Sequence, residues 1–358
     1  MSRGLLGGLL LAMGLATPGQ AQAQWVETER GDSLAEALFR RLAPPGVSIA
    51  VARTDGKSVR WQLGMANLGG GGRVERNTRF RIGSDSKLFT TAIVARLVAA
   101  GRLSLDAPIS TYLPELPPAY RALTVRLLAG HLAGVRHYGP GEFVSTVEYP
   151  TVSASLGVFL KDTLLAEPGA RYFYSSYGFN LLGAVLEAAS GDSFATLLHN
   201  EVIEPLGLGQ TAVEPSGRLL ERQARPYSRD SSGAFQPSPA VDLSDRWPSG
   251  GLVSTAEELA EFGLGVFRSA YLPDSVRTLL LTPQRSVSGN PTQVGLGWRI
   301  ARDSLGRQYL HHGGSAMGGR AFLLVYPKEG VAVALLANTE ANFGEADALA
   351  FAKLLLGR

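Results

Sequence analysis

The sequence predicts an α/β protein of the α+β type: an antiparallel sheet built from both chain ends, with flanking helices and an inserted all-helical region. Two observations predict it. Runs of strand character joined by short turns lie near both termini, and short connections imply antiparallel pairing. The stretch between them is helical and rich in loops. The chain has 358 residues, with 45% hydrophobic and 18% charged, an ordinary globular mixture with ample material for a core. Its formal net charge of +3 is too weak to argue for a nucleic-acid partner.

Taken in order, Arg3 precedes an apolar run from Gly4 to Ala16, followed by Ala21-Gln22-Ala23. A basic start, an apolar stretch and a small-x-small exit read as a secretory signal peptide over residues 1–23, cut after Ala23. The run is too short to span a bilayer, so the expectation is a periplasmic or secreted protein without stable membrane insertion. There is no cysteine, hence no disulfide framework, lipid-attachment cysteine or thiol nucleophile.

Residues 24–358 then read as one domain, its sheet part about 24–80 and 290–358 and its helical part about 81–289. Ser33 to Leu42 has helical spacing and ends at Pro44-Pro45-Gly46. Val47 to Arg53 and Lys57 to Gly64 read as strands around the turn Thr54-Asp55-Gly56. Gly69 to Gly72 is a loop tip, since no strand-to-helix context marks a phosphate cradle. Leu123 to Leu132 is a short helix, Tyr177 to Ser190 an amphipathic one stopped by Gly191, and Asp192 caps a further helix reaching Gly207. Residues 225–250 are polar, irregular and proline-bearing, as a site rim or a mobile segment would be. Ser254-Thr255-Ala256-Glu257 forms a capping box for a helix to about Phe267. Arg307 to His312, Arg320 to Tyr326 and Val331 to Ala337 are strands, and Glu345 to Leu356 a closing helix.

The chemistry centres on Ser84-Asp85-Ser86-Lys87, which opens an almost wholly apolar run ending at Gly101. A helix apolar all round is a buried one. Ser84 and Lys87 lie one turn apart on one face. The helix dipole and burial both disfavour a charged ammonium at Lys87, pushing it towards a neutral amine able to take the Ser84 proton. Only five of the 34 basic residues are lysines, so Lys87 is one of few. Read alone, Ser84 fits equally an N-cap with Lys87 bent out to solvent.

Two further stretches supply partners: Tyr172-Phe173-Tyr174-Ser175-Ser176-Tyr177-Gly178-Phe179-Asn180, and His311-His312-Gly313-Gly314-Ser315 at a strand end. With these three in order, the chain resembles the penicillin-recognising serine hydrolases: class C β-lactamases, DD-peptidases and related esterases, marked by S-x-x-K, Y-x-N and K-T-G or H-x-G. The likeness is greatest to β-lactamase-like serine proteins, a group with a mitochondrial member. Supporting text includes His131 to Tyr138 and Trp247-Pro248-Ser249-Gly250-Gly251. The resemblance implies an antiparallel sheet beside an all-helical region, with the active site between them.

It further implies Ser84 as acyl-accepting nucleophile, Lys87 as general base, and Tyr174 sharing the proton work with a phenol pKa depressed by neighbours such as Lys87. Tyr172 and Tyr177 compete for that place, and only the family pattern selects Tyr174. The backbone N–H groups of Ser84 and Gly314 would form the oxyanion hole. Ser176, His311 and Gly313 would meet substrate. Two departures weaken β-lactam hydrolysis and strict carboxypeptidase action: Ser176 offers one hydroxyl where asparagine offers an amide, and His311 is only partly charged where lysine is a cation. His131 and His137 read as structural or rim residues. His311-His312 invites a zinc reading, but no H-E-x-x-H or third ligand accompanies it, so neither metal nor cofactor is expected. The leading expectation is an exported serine hydrolase acting on an amide or ester of a small molecule or peptide. Peptidase, esterase and weak β-lactamase stay open within it. The alternative is a catalytically idle ligand-binding or self-assembling scaffold on the same fold. A classical α/β-hydrolase is excluded, because no G-x-S-x-G elbow follows a strand.

Overall fold

The computed structural model describes residues 24–25 and 29–356; the leader read over residues 1–23 lies outside the described residues. The main sheet contains β1 (Gln24–Trp25), β2 (Gly46–Arg53) and β3 (Lys57–Asn67) from the N-terminal side. From the C-terminal side come β4 (Arg299–Arg302), β5 (Gln308–Ala316), β6 (Gly319–Tyr326) and β7 (Val331–Ala337). Their order is β1-β3-β2-β7-β6-β5-β4, with Gly72–Arg73 pairing β3 off this path. All pairs are antiparallel except β1 with β3, which is parallel and departs from the expected pattern. The two ends of the chain meet where β2 pairs β7, Val47 opposite Ala337 through Arg53 opposite Val331.

Alternation along these strands makes two cores. Val47, Ile49 and Val51 of β2, Phe322 and Leu324 of β6, and Val333 and Leu335 of β7 face α1 (Glu29–Leu42) and the closing helix α5 (Glu345–Ala352). Their neighbours Ala50, Leu323, Val325, Ala332 and Ala334 face the other way, into the larger core. That second core holds α2 (Ser86–Ala99), α3 (Ser176–Ser190) and α4 (Ala256–Gly265). On β5, Tyr309 belongs to the first core and Leu310 to the second, which sets the face of every residue after them.

Several boundaries differ from expectation for local reasons. Ser84 is not the cap of α2; it sits in a single 3₁₀ turn, Gly83–Asp85, that feeds the helix. At α4 the capping hydroxyl is that of Thr255, which accepts from the Glu258 N–H at 3.1 Å, one residue past the expected box. Ser193 rather than Asp192 caps the helix that follows α3, accepting from Thr196 N–H at 3.2 Å. The helix read at Leu123 to Leu132 is only Val125–Ala129. The strand read to His312 continues to Ala316, carrying the glycine pair into the sheet. Within residues 225–250, Tyr227–Arg229 and Phe235–Pro237 form a hairpin.

Two glycines bring the segments of the cleft together. Gly83 has φ +49, and a Cβ there would lie 2.5 Å from the Ser315 carbonyl oxygen and 2.7 Å from its nitrogen. Only a residue without a side chain lets the Ser84 turn press against the end of β5. A Cβ on Gly183 would lie 2.2 Å from Pro248, so that glycine allows the Trp247-Pro248-Ser249 segment to seat on α3. Pro248 O then accepts from the buried Thr90 hydroxyl at 2.6 Å, fastening the segment to α2 as well.

Candidate active site

Lys87 is fully buried, and its Nζ has three oxygen neighbours: Ser84 Oγ at 3.3 Å, Ser176 Oγ at 3.0 Å and Ser249 O at 2.6 Å. A carbonyl only accepts, so the amine must donate to Ser249 O. A neutral amine with two N–H groups can serve Ser249 O and one serine while turning its lone pair to the other. Burial pushes the Lys87 ammonium down to about 8, against opposing pulls from Tyr138 and Asp85. Lys87 therefore turns inwards, across the cleft from Ser84, and not out to solvent.

Of the three tyrosines in the second motif, Tyr177 donates to Glu142 Oε2 at 2.9 Å and Tyr172 lies 3.5 Å from Arg299 Nη2. Tyr174 is the one against the reacting pair: its ring centroid is 5.0 Å from Lys87 Nζ, and it lines the cavity together with Ser84 and Ser176. Its pKa runs opposite to expectation. Burial raises the phenol to about 12, outweighing the opposing influence of the Ser84 and Ser176 hydroxyls and the Arg299 charge, so Tyr174 stays protonated.

The turn that presents Tyr174 and Ser176 is held by histidines. The Ser175 N–H donates to Nδ1 of buried His131 and the Ser176 N–H to Nδ1 of His137, each at 3.2 Å. Burial pushes both imidazoles below their ordinary value, His137 to about 4, leaving neutral rings able to accept. The Ser175 hydroxyl caps α3 by accepting from Gly178 N–H at 2.8 Å and donates to Arg136 O at 2.6 Å. His131 and His137 thus act on the site through the backbone they hold, as rim and framework.

The third motif requires a correction. His311 pairs with Leu324 across the sheet, stacks on Phe322, and lies 3.7 Å from Glu345 Oε2 on α5. It faces away from the cleft. His312, one residue on, points to the opposite face. It lines the cavity with its ring 6.2 Å from that of Tyr174 and its Nδ1 3.4 Å from Asp85 Oδ1. The histidine-x-glycine triplet of the cleft is therefore His312-Gly313-Gly314. Gly313 and Ser315 line the cavity, while the missing side chain of Gly314 makes room for Ile82 O, 1.8 Å from where its Cβ would be.

The cavity between these elements measures about 300 Å³. Residues that sequence reasoning left unassigned complete it. Ser249 and Gly250 come from the segment on α3, and Val241 and Leu243 from the irregular stretch, making part of 225–250 a rim. Two arginines reach it with different commitments. Arg246 is spent on Asp245 at 2.6 Å and on the Phe143 carbonyl, whereas no carboxylate among the described residues pairs with Arg299. Ser249 could have been found from the quoted Trp-Pro-Ser-Gly-Gly run; Arg299 carries no local signal.

A two-core sheet protein with a helical region and a serine–lysine pair between them defines the class of β-lactamase and penicillin-binding serine hydrolases. The chain belongs to the Beta-lactamase family, which it matches over residues 32–358. It is 25% identical to the mitochondrial serine beta-lactamase-like protein LACTB of Homo sapiens, over 86% of this chain and 73% of that protein. It is 28% identical to Penicillin-binding protein 4 of Amycolatopsis lactamdurans, over 85% of this chain and 83% of that one. The structure is also similar to the penicillin binding protein from Bacillus halodurans, with TM-score 0.78 and 26% identity, covering 92% of this chain and 100% of the other.

Proposed function

We propose that the protein is an exported serine hydrolase that cleaves an amide or ester bond through a Ser84 acyl-enzyme, peptidase- or esterase-like, with weak β-lactam hydrolysis as a side activity. The observation that carries this reading is the contact between Ser84 Oγ and the buried Lys87 amine at 3.3 Å. In the proposed reaction Lys87 takes the Ser84 proton as Oγ attacks the carbonyl carbon. The oxyanion is held by the N–H groups of Ser84 and Ser315, the latter replacing Gly314 because the triplet shifts by one residue. One such donor typically contributes about 2.7–4 kcal/mol to the transition state. Tyr174, protonated at neutral pH, gives its proton to the leaving group and regains one through Lys87. Water then repeats the attack on the acyl-enzyme.

The guanidinium of Arg299, paired with no carboxylate among the described residues, favours a small-molecule or peptide substrate with a carboxylate at one end. The 3.0 Å contact of Ser176 with Lys87 supports a part for it in the proton transfers as well as beside the substrate. Export rests on the basic, apolar and small-residue order of residues 1–23. No single helix among the described residues is long and apolar enough to cross a membrane. The intact Ser84–Lys87 contact supports the hydrolase reading over an idle ligand-binding or self-assembling scaffold.

The test is labelling by a fluorophosphonate probe, alongside turnover of nitrocefin, p-nitrophenyl esters and D-alanyl peptides. The wild-type protein is expected to label and to turn over an ester or peptide faster than nitrocefin. Ser84→Ala is expected to do neither; a Ser84→Ala protein that still labels removes Ser84 from its role.

A further inference from the structure

The residue directly after the nucleophile has no part in the reaction above, yet it is the most unusual side chain in the cleft. Asp85 has 0% exposure, and both of its carboxyl oxygens are sealed from solvent without a hydrogen-bond partner. Leaving a buried carboxyl unsatisfied is costly, so its retention calls for a reason. Nδ1 of His312 lies 3.4 Å from Asp85 Oδ1.

His312 Nδ1 is also 2.9 Å from the Gly313 carbonyl oxygen. A carbonyl can only accept, so the imidazole hydrogen belongs on Nδ1 and leaves Nε2 as a lone-pair acceptor on the other side of the ring. Besides the Tyr174 phenol, whose ring lies 6.2 Å from that of His312, the groups acting on this pair from the packed elements are cationic or basic. They are Lys87 on α2, Arg299 on β4, His311 on β5 and Arg320 on β6, with His131 beyond. A second proton on His312 is disfavoured in that company, and burial pushes the same way, well below the ordinary imidazole value. Burial also raises Asp85 well above the ordinary carboxylate range, and its Oδ1 faces the Nδ1–H side of the ring at 3.4 Å.

We infer that Asp85 is a positioning residue for His312: with Gly313 O it holds Nδ1–H towards the protein and presents Nε2 to the cavity as a fixed, neutral acceptor. The subsite at His312 then takes an N–H or O–H donor of the substrate, whereas a lysine there would attract an anion. The carboxylate of the substrate is left to Arg299. This inference rests on the hydrolase reading for its consequence, but its structural content does not.

The experiment therefore has two arms. Imidazole ¹⁵N shifts, with His312 assigned by loss of its signals in His312→Gln, report the tautomer without turnover; five histidines keep the spectrum simple. Wild type is expected to carry the hydrogen on Nδ1 at pH 7, and an Nε2–H tautomer overturns the proposal whatever the activity. The second arm compares hydrolysis of the p-nitrophenyl ester of N-acetyl-D-alanine by Asp85→Leu, whose side chain branches like aspartate without an acceptor, and by Asp85→Asn, which keeps one. We expect kcat/KM to fall roughly 10–100-fold in Asp85→Leu with no loss of thermal stability, and no more than about fivefold in Asp85→Asn. In a His312→Gln background, Asp85→Leu is expected to change the rate by less than about twofold, because the group it positions is gone. An equal loss in both backgrounds, or full activity in Asp85→Leu, overturns the proposal. If wild type turns over neither ester nor peptide, the hydrolase reading fails while an Nε2–H tautomer still overturns the positioning claim.

Discussion

At the scale of single residues, Lys87 and Tyr174 divide the proton work by being shifted in opposite directions by the same cause. Burial disfavours whichever form is charged, so it lowers the ammonium to about 8 and raises the phenol to about 12. The neutral amine is the active form, and its fraction grows as pH rises. We therefore expect kcat/KM for an ester to rise about tenfold per pH unit below about 8 and to level off above it. A profile flat between pH 6 and 8 contradicts Lys87 as the base. Lys87→Met is expected to cost ~10²–10⁴-fold in kcat, the usual range for a lost general base. The stability effect has the opposite sign. Because the folded pKa lies below the ordinary lysine value of 10.5, the cost of burying the charge is present below about 8 and disappears as pH rises through 10.5. Lys87→Met should accordingly stabilise the fold more at pH 7 than at pH 10, measured by urea unfolding at both.

At the scale of elements, the phase of β5 decides which histidine is in the cleft. A strand alternates faces, so reading the triplet one residue early exchanges a cavity residue for one on the outer core. Tyr309 and Leu310 are both buried, at 2% and 0% exposure, so hydrophobicity alone gave no phase to the strand. The phase comes from pairing, with His311 opposite Leu324 on the α5 side and His312 opposite Leu323 on the α2 side. We expect His311→Ala to leave kcat/KM within about threefold and His312→Ala to lower it by about tenfold or more, the size of a lost hydrogen bond in a closed site. The reverse result from steady-state kinetics restores His311 to the cleft.

At the scale of the whole molecule, the cleft walls come from parts of the chain far apart in sequence, and one buried ion pair ties them. Arg81 meets Glu214 through two bonds of 2.5 and 2.8 Å, and its third nitrogen donates to Met317 O at 2.7 Å. It joins the small sheet of Phe80–Arg81, Leu252–Ser254 and Ala212–Val213 to the β5–β6 turn just past Ser315. Both side chains are at most 7% exposed, so removing one partner strands a buried charge. Glu214→Ala is expected to cost about 3–5 kcal/mol in urea unfolding, and Arg81→Met with Glu214→Leu to recover most of it. A single substitution costing under about 1 kcal/mol would place the pair among weak surface bridges.

The sequence by itself determined the class of fold, the buried helix that carries Lys87 with Ser84 just before it, and the motif containing Tyr174. These are local: composition marks a buried helix, turn residues mark strand ends, and the serine and the lysine stand within four residues of chain. Only the tertiary structure decided which of three tyrosines meets Lys87, which of two adjacent histidines lines the cavity, and that Asp85, Ser249 and Arg299 belong to the same cleft. Those depend on strand phase, on glycine-permitted contacts such as Gly83 against Ser315, and on desolvation. Each is a property of what packs around a residue, and none is written in its neighbours along the chain.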